Sequence, residues 1–402
     1  MDFSKCTVEF KNIRGEKVPD SIYFKDPGIS NSRLKLIDPL EGGSPQLYKE
    51  GIPFKYNVSL ELGTAIHSQI LSEDEYDISE YEGKPSAKMG HFVDCIYEFR
   101  KKGKSIAEAV ELASDKADYY KGKMTPKKLR TVMSSGLDYY WRLTNGEFTS
   151  PDKEVIVLPK KMLDTCKACV SALKNERRFK QLHSKNLFIP KEFLNEYAFY
   201  VDLDVTLENG DKITIPFKGK ADNIIIDHEQ KMVYLNDVKT TSKPMECFMG
   251  GMYEGEWYNG SWEKLHYFRQ FAAYLMMLQM YCDQKGWTDY NYMCNVFVVE
   301  TTGQNRAKTY PVNNSFIQYG AKEFKELICR VAFCELYGYD KEIEIVDNGH
   351  KLMYRCPNCG NTDDKKMNVA RRVCGYISTN IPNQARLEEI ANRYVHVDNH
   401  EE

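Results

Sequence analysis

Two aspartates and a lysine on neighbouring strands could together hold a metal ion and act on a phosphate ester. If a hairpin turn is centred on residues 229–230, Asp222 lies directly opposite Asp237. Directly opposed side chains have Cβ atoms about 4.5–5.5 Å apart, so two like charges there are unfavourable without compensation. Side chains alternate along a strand, which puts Lys239 on the same face as Asp237. The three side chains are therefore expected to converge.

A divalent cation between the two carboxylates is the simplest compensation. Mg²⁺ prefers hard oxygen ligands and keeps coordination positions for water and substrate phosphate. Metal-bound water beside a lysine ammonium is well suited to attack a phosphodiester. The alternative interpretation is a surface strand with ordinary Asp and Lys residues, and the Asp-x-Lys pattern alone does not decide between the two.

The strands that carry these residues are predicted to form an antiparallel meander. Residues 197–207 alternate apolar and polar side chains, with the period of a half-buried strand, and runs at 212–227 and 232–241 follow. The next predicted elements are a helix, a strand and a helix, at about residues 261–283, 292–301 and 315–338. This order indicates a mixed α/β core.

The N-terminal half is predicted to be mostly helical and to carry the positive charge. Residues 29–47 have the pattern of a short capped helix, and residues 59–71 and 86–185 have helical apolar spacing. Residues 100–185 contain 20 Lys and Arg against 10 Asp and Glu, a net charge of +10 in a chain whose total is −3. Such a basic segment suggests a localised anionic partner, and solvated helix faces are the alternative.

The composition is that of a globular protein. Of the 402 residues, 42% are hydrophobic and 28% are charged, which argues against wholesale disorder. The longest apolar stretch, residues 271–280, is too short to span a bilayer, and the N-terminal residues lack the pattern of a secretory signal. Twelve scattered cysteines fit reduced thiols. We therefore expect a cytoplasmic protein without a membrane partner.

Four motifs resemble, in this order, the PD-(D/E)XK nuclease superfamily. They are LGTAIHSQIL with His67, KGKADNI with Asp222, LNDVKTT with Asp237 and Lys239, and FRQFAAYLM with Gln270 and Tyr274. More narrowly, they are similar to the RecE-like exonuclease VIII group of phage recombination nucleases, as are ISNSRLKLIDP and FVVET around Glu300. The resemblance covers about residues 28–335. It implies a restriction-endonuclease-like core, in which a central mixed sheet is flanked by helices.

The resemblance implies roles for the strand residues. Asp222 and Asp237 would be the metal-binding carboxylates, and the backbone carbonyl of Val238 would be a further ligand. Lys239 would be the catalytic lysine. Glu196, just before the first strand, could match the family's upstream acidic residue, and a solvated edge glutamate is the alternative.

The resemblance also implies roles for residues on helices. His67 would be a further metal ligand or an organiser of the site, and a core histidine is the alternative. Gln270 and Tyr274 lie four residues apart on one helix face, with Tyr267 a turn earlier. Their amide and hydroxyl groups could contact DNA or position Lys239. Polar residues facing solvent or another helix are the alternative.

The activity implied by the resemblance is a Mg²⁺-dependent DNA exonuclease, with Mn²⁺ as a substitute ion. It would act from double-stranded DNA ends, in the 5′-to-3′ direction, to generate single strand for phage-type recombination or replication. A homo-oligomeric ring and a single-strand annealing protein as partner are expected, in the bacterial host cytoplasm if the chain is phage-encoded. The alternatives are an endonuclease or another nuclease on the same core, or a non-catalytic DNA-binding protein with a nuclease fold.

The predicted organisation places the nuclease domain between two smaller segments. Residues 1–27 are an N-terminal extension, and residues 28–338 are the nuclease domain, with a helical part at about 56–190 and a catalytic core at about 191–338. Residues 339–402 form a cysteine-containing tail.

The tail carries a candidate zinc knuckle. Cys356 and Cys359 have the spacing of a zinc-binding turn, and Cys374 could be a third ligand. The candidates for a fourth ligand are His350, His396 and His400. Free thiols, or an iron–sulfur cluster completed by an early cysteine such as Cys95, are the alternatives. The pair Cys166 and Cys169 has helical spacing and is predicted to lie in the core.

Overall fold

The structure is a computed structural model in which strands and helices surround one six-stranded sheet. It describes residues 2–51, 58–85, 88–119, 127, 130, 132–184, 191–253, 256–258, 260–339, 344–347, 352–355, 371–373 and 376–378. The strands are β1 (Thr7–Lys17), β2 (Tyr76–Glu80), β3 (Glu154–Leu158), β4 (Lys191–Thr206), β5 (Lys212–Asp227), β6 (Met232–Thr241), β7 (Gly251–Tyr253), β8 (Glu256–Tyr258), β9 (Asn291–Glu300), β10 (Ala307–Pro311), β11 (Glu344–Asp347), β12 (Leu352–Arg355), β13 (Arg371–Val373) and β14 (Tyr376–Ser378).

Short and long helices lie between these strands in the chain, singly or in succession. The α-helices are α1 (Asp20–Tyr23), α2 (Asn31–Leu34), α3 (Pro45–Glu50), α4 (Val58–Leu71), α5 (Lys88–Lys101), α6 (Ile106–Ala117), α7 (Leu137–Thr144), α8 (Lys160–Asn175), α9 (Arg177–Leu182), α10 (Ser261–Lys264), α11 (Tyr267–Gln284) and α12 (Asn314–Tyr337). Within the part of the chain that the structure describes, no helix has the length and apolar character needed to cross a membrane.

The central sheet is mixed and has the order β1-β4-β5-β6-β9-β10. Neighbouring strands are antiparallel except β6 and β9, which are parallel. The predicted meander of β4, β5 and β6 is confirmed. Strand β1 was not predicted: it lies within residues 1–27, which were expected to be an extension, and it forms one edge of the sheet because it pairs with β4.

Helices cover both faces of the sheet, as the predicted fold class requires. On one face, α11 and α12 pack against apolar side chains of β4, β5, β6 and β9, including Phe217, Ile224 and Leu235. On the other face, α4, α8 and α9 pack against a second set that includes Ile225 and Val238. The expected mixed α/β fold with a sheet flanked by helices is therefore confirmed at this level.

Three segments differ from the sequence-based expectation. Residues 29–47 form two short helices, α2 and the start of α3, around a 3₁₀ turn (Pro39–Glu41) instead of one helix. The stretch 86–185, expected to be helical, contains β3, which pairs in parallel with β2. The helix expected at 261–283 is divided into α10 and α11, because His266 has a left-handed backbone with φ of 48°.

Gly219 allows α11 to lie close against β5, and we expect Gly219→Ala to destabilise the protein. A Cβ atom there would lie 2.4 Å from Cε1 of Tyr274 and 2.7 Å from Cε of Met277. Overpacking of this kind lowers the free energy of unfolding by about 1–3 kcal/mol. Urea unfolding measures this loss. Gly63→Ala, in α4, is the matched control. The Cβ atom added there would lie 3.4 Å from Oγ1 of Thr240, which is an ordinary contact distance. Equal stability of wild type and Gly219→Ala would contradict this packing.

Candidate active site

The candidate site lies where β5 and β6 separate. The two strands pair from Asp227 and Met232 to Asn223 and Asn236, which is the register predicted from the sequence. Asp222 and Asp237 are the next positions along the same register, and both line a narrow crevice against α11. On its other edge, β6 pairs with β9 along its whole length, from Met232 to Thr241. The backbone N–H of Val238 donates to Oδ2 of Asp222 at 2.8 Å, which joins the diverging strands.

Two more side chains approach Asp222 from other elements. Glu196 lies in β4, and its left-handed backbone, with φ of 49°, interrupts the ladder between β4 and β5 at Asp222. His67 extends from α4, and its Nδ1 lies 3.8 Å from Oδ2 of Asp222. One ligand atom from each of His67, Glu196 and Asp222 lies within 4.8 Å of the others. Three separate elements, α4, β4 and β5, thus build one cluster of metal-type donors beside β6.

The pKa values of the side chains in this cluster are shifted by burial and by one another, although Nζ of Lys220 lies 2.5 Å from Oε2 of Glu196. Burial and then the neighbouring charge of Asp237 raise the pKa of Asp222 to about 7. Burial and then Asp222 raise the pKa of Glu196, although Lys220 opposes this shift. Burial and then Lys239 lower the pKa of His67, so its imidazole is neutral at pH 7, the form that binds metals. These are the properties expected of carboxylates placed to hold a cation.

Asp237 is held by two side chains that the sequence analysis named. Nε2 of Gln270 donates to its Oδ1 at 2.8 Å, and Nζ of Lys239 lies 2.5 Å from its Oδ2. The Lys239 ammonium also lies 4.9 Å from the ring centre of Tyr267. Burial disfavours a charged lysine, but Asp237 and Asp222 outweigh this effect and raise the pKa of Lys239. The lysine is therefore cationic beside both carboxylates.

Tyr274 closes the crevice on the α11 side. Its side chain packs on Gly219 and lines the same crevice as Asp222 and Asp237. Burial raises the pKa of Tyr274 well above its usual value, and a hydrogen bond with the backbone of Lys220 opposes that shift. The hydroxyl is therefore neutral and is oriented along β5.

The donors fit a hard divalent cation. The residues that lie close enough to bind it differ in part from the ligands expected from the sequence. His67, Glu196 and Asp222 supply one imidazole and two carboxylates whose ligand atoms already lie close together. The backbone of Val238 hydrogen-bonds to His67, which puts the predicted carbonyl ligand beside them. Asp237, predicted as a ligand, instead contacts Lys239 and Gln270. Glu196, which the resemblance matches to an upstream acidic residue, is one of the three donors.

A second cluster of metal-type residues, Asp38, Glu41 and His266, surrounds a cation of the protein. Arg269 is fully buried and donates to both Asp38 and Glu41 at 2.6 Å. Its guanidinium occupies the position that a metal ion would need. We assign this cluster to the stability of the fold.

The affinity of the cluster of His67, Glu196 and Asp222 for a metal ion is expected to weaken as pH falls. A metal ion must displace the proton of Asp222, so Mn²⁺ affinity should fall by about tenfold for each pH unit below 7. Without metal, the raised pKa means that protonation of Asp222 contributes to stability at acid pH, and this one contribution is lost as pH rises from about 4 to about 7. Calorimetric titration with Mn²⁺ between pH 5.5 and 8 measures the affinity. An affinity that does not change over this range would contradict the assignment of Asp222.

A row of asparagines behind the site was not found by the sequence analysis. Nδ2 of Asn223 donates to Asn195, Nδ2 of Asn236 donates to Asn223, and Nδ2 of Asn295 donates to Asn236, at 2.7–2.8 Å. The row crosses β4, β5, β6 and β9 where β5 and β6 begin to separate. The available signal was that Glu196, Asp222 and Asp237 each have an asparagine as a direct chain neighbour. Satisfied buried amides fix the relative positions of these strands.

The cysteine predictions divide into two groups. Cys166 and Cys169 are buried on α8 and pack in the core, as predicted. The candidate zinc ligands lie outside the described residues: Cys356, Cys359, Cys374, His350, His396 and His400.

Comparison with known proteins gives one partial family match and a distant structural likeness. Residues 313–396 match the family of anaerobic ribonucleoside-triphosphate reductase. This stretch contains none of the residues clustered around Asp222 and Asp237, includes the candidate zinc ligands except His400, and is too short to assign the chain to that family. No curated protein matches. A crystal structure from Eubacterium rectale, described as a "putative exonuclease", is 14% identical, covering 60% of this chain and 79% of the other, with a TM-score of 0.30. An overlap this low does not establish a shared fold.

Proposed function

We propose that this protein is a metal-dependent nuclease that hydrolyses phosphodiester bonds in DNA. The observation that carries the proposal is the convergence of Asp222, Asp237 and Lys239 with His67 and Glu196 at the point where β5 and β6 separate. A cluster of carboxylates with a raised pKa beside a buried lysine is typical of a catalytic centre.

The residues have distinct tasks in this proposal. His67, Glu196 and Asp222 would hold Mg²⁺ or Mn²⁺, which when bound acts as a Lewis acid and lowers the pKa of water. Lys239 lies where its ammonium can orient the attacking oxygen and stabilise negative charge developing on the phosphate. Gln270 fixes the carboxylate of Asp237, which in turn fixes Lys239.

The finer proposal is an exonuclease that acts from double-stranded DNA ends, in the 5′-to-3′ direction. Its support is the motif resemblance to the RecE-like group. That resemblance also supports a homo-oligomeric ring and a single-strand annealing protein as partner. The basic segment, including the exposed Lys101, Lys102 and Lys104 at the end of α5, would contact the DNA backbone without sequence preference.

Incubation with Mg²⁺ and either linear or covalently closed circular duplex DNA tests the proposal. We expect digestion of linear DNA only, and loss of digestion in Asp237→Asn. Cleavage of the closed circle would make the protein an endonuclease on the same core. If wild type binds DNA but cuts neither form with Mg²⁺ or Mn²⁺, the protein is a non-catalytic DNA-binding protein and the nuclease proposal is wrong.

A further inference from the structure

A second, larger cavity adjoins the candidate site at the free edge of β5. Its volume is about 690 Å³, within the usual range for small-molecule sites of about 300–1,000 Å³. Where β6 has diverged, Ile29 takes its place beside β5: its N–H donates to the Pro216 carbonyl and its carbonyl accepts from the N–H of Lys218, both at 2.8 Å. Tyr274 lines both this cavity and the crevice with Asp222 and Asp237.

Aromatic rings form much of the cavity wall. Tyr48 and Tyr339 stack with ring centres 5.8 Å apart, and the guanidinium of Arg33 lies 4.9 Å from the ring centre of Tyr48. Phe24 also lines the cavity and is 73% exposed, and its ring makes a T-shaped contact with the ring of Tyr23. A large ring left open to solvent at a cavity mouth is available for stacking with a planar ligand.

Two cations that line the cavity, Lys218 and Arg33, hydrogen-bond to backbone carbonyls. Nζ of Lys218 donates to the carbonyls of Tyr23 and Asp26, at 2.7 and 2.6 Å, and Arg33 donates to those of Tyr48 and Lys49. Neither cation forms an ion pair with a carboxylate in the part of the chain that the structure describes.

Two further charged side chains of the wall have partners within the protein. Lys220 pairs with Asp20 and Glu196, and Glu335 accepts a hydrogen bond from the hydroxyl of Tyr339. A lysine has three N–H donors and an arginine five, so the bonds to carbonyls do not use all the donors of Lys218 and Arg33. The ammonium of Lys218 also lies 4.8 Å from the ring centre of Tyr23. An anion entering the cavity would meet these donors.

We propose that this cavity binds one nucleotide of the DNA strand, adjacent to the bond that is cut. The base would stack against the exposed ring of Phe24, while its phosphate would accept hydrogen bonds from Arg33 and Lys218. Aromatic rings together with unpaired cations match a ligand that is both planar and anionic, as in single-strand binding grooves. This inference rests on the proposed nuclease function, because it assigns the substrate end to a place beside the same metal centre.

Binding of deoxyadenosine monophosphate in EDTA, without any metal, tests the proposal independently of catalysis. Calorimetry is expected to show binding to wild type that weakens by about tenfold in Phe24→Ala, the size of one lost base stack. Tyr319→Ala is the matched control, because this ring is 56% exposed on α12 and lies outside the cavity. Deoxyadenosine and inorganic phosphate should each bind more weakly than the nucleotide.

The outcomes separate this inference from the nuclease proposal. Asp222→Asn should lose DNA hydrolysis yet keep nucleotide affinity, because its side chain lies in the neighbouring crevice. If wild type binds the nucleotide but does not cut DNA, the cavity assignment stands and the nuclease proposal fails. If the nucleotide does not bind, if phosphate alone binds as tightly, or if Phe24→Ala and Tyr319→Ala behave alike, the cavity assignment is wrong.

Discussion

Replacing Lys239 with methionine is expected to reduce DNA hydrolysis by about 10²-fold or more while DNA binding persists. The variant keeps a side chain of similar length but removes the ammonium group, whose Nζ lies 2.5 Å from Oδ2 of Asp237. Asp222 and Asp237 would lose the neighbouring positive charge of Lys239, and charge developing on the phosphate would lose its partner. The rate of nucleotide release from labelled duplex DNA, measured with an excess of Mg²⁺, checks this prediction.

Lys243→Met is the matched control for this experiment. Lys243 lies four residues further along the chain, and its side chain is exposed. We expect this variant to hydrolyse DNA at the wild-type rate. Equal losses in Lys239→Met and Lys243→Met, or full activity in Lys239→Met, would remove Lys239 from the mechanism.

Arg269→Met is expected to lower the free energy of unfolding by about 3–5 kcal/mol. The guanidinium is completely buried and holds three acidic side chains together with one amide. Its donors contact Asn31 at 3.1 Å, Asp38 and Glu41 at 2.6 Å, and Glu323 at 3.1 Å. Without it, three carboxylates remain close together in the interior, and the segment with α2 loses its connection to α11.

Urea unfolding, followed by far-UV circular dichroism, measures this loss. Arg142→Met is the control, because Arg142 forms ion pairs with Asp138 and Glu147 at the surface and should change stability little. Arg269→Lys should remain destabilised, since lysine cannot reproduce the planar set of donors. A midpoint for Arg269→Met equal to that of the control would show that the buried ion pairs do not hold this segment.

The arrangement of the strand residues could be predicted because it depends on local rules. Alternation along β4 to β6 and a loop at residues 228–231 determine the register that brings Asp222 next to Asp237. The loop holds this register through local contacts, since the N–H of Gln230 donates to Asp227 and Lys231 adopts a left-handed backbone. Because side chains alternate between the two faces of a strand, Lys239 lies on the same face as Asp237.

Other features depend on contacts between distant parts of the chain, which a local pattern does not contain. Strand β1 has its partner in β4, nearly two hundred residues away, so nothing near it in sequence marks it as part of the sheet. Glu196 lies beside Asp222 because its backbone is left-handed in the middle of a strand. The buried position of Arg269 depends on acidic residues from both α12 and the turn after α2.

The most direct test of the metal-dependent nuclease is the release of nucleotides from end-labelled linear duplex DNA as Mg²⁺ is added, for wild type and Asp222→Asn. The account predicts no release in EDTA, a saturable rise with Mg²⁺ in wild type, and a loss of about 10²-fold or more in Asp222→Asn. Release that is independent of Mg²⁺, or equal in the two proteins, would contradict a catalytic metal centre where β5 and β6 separate.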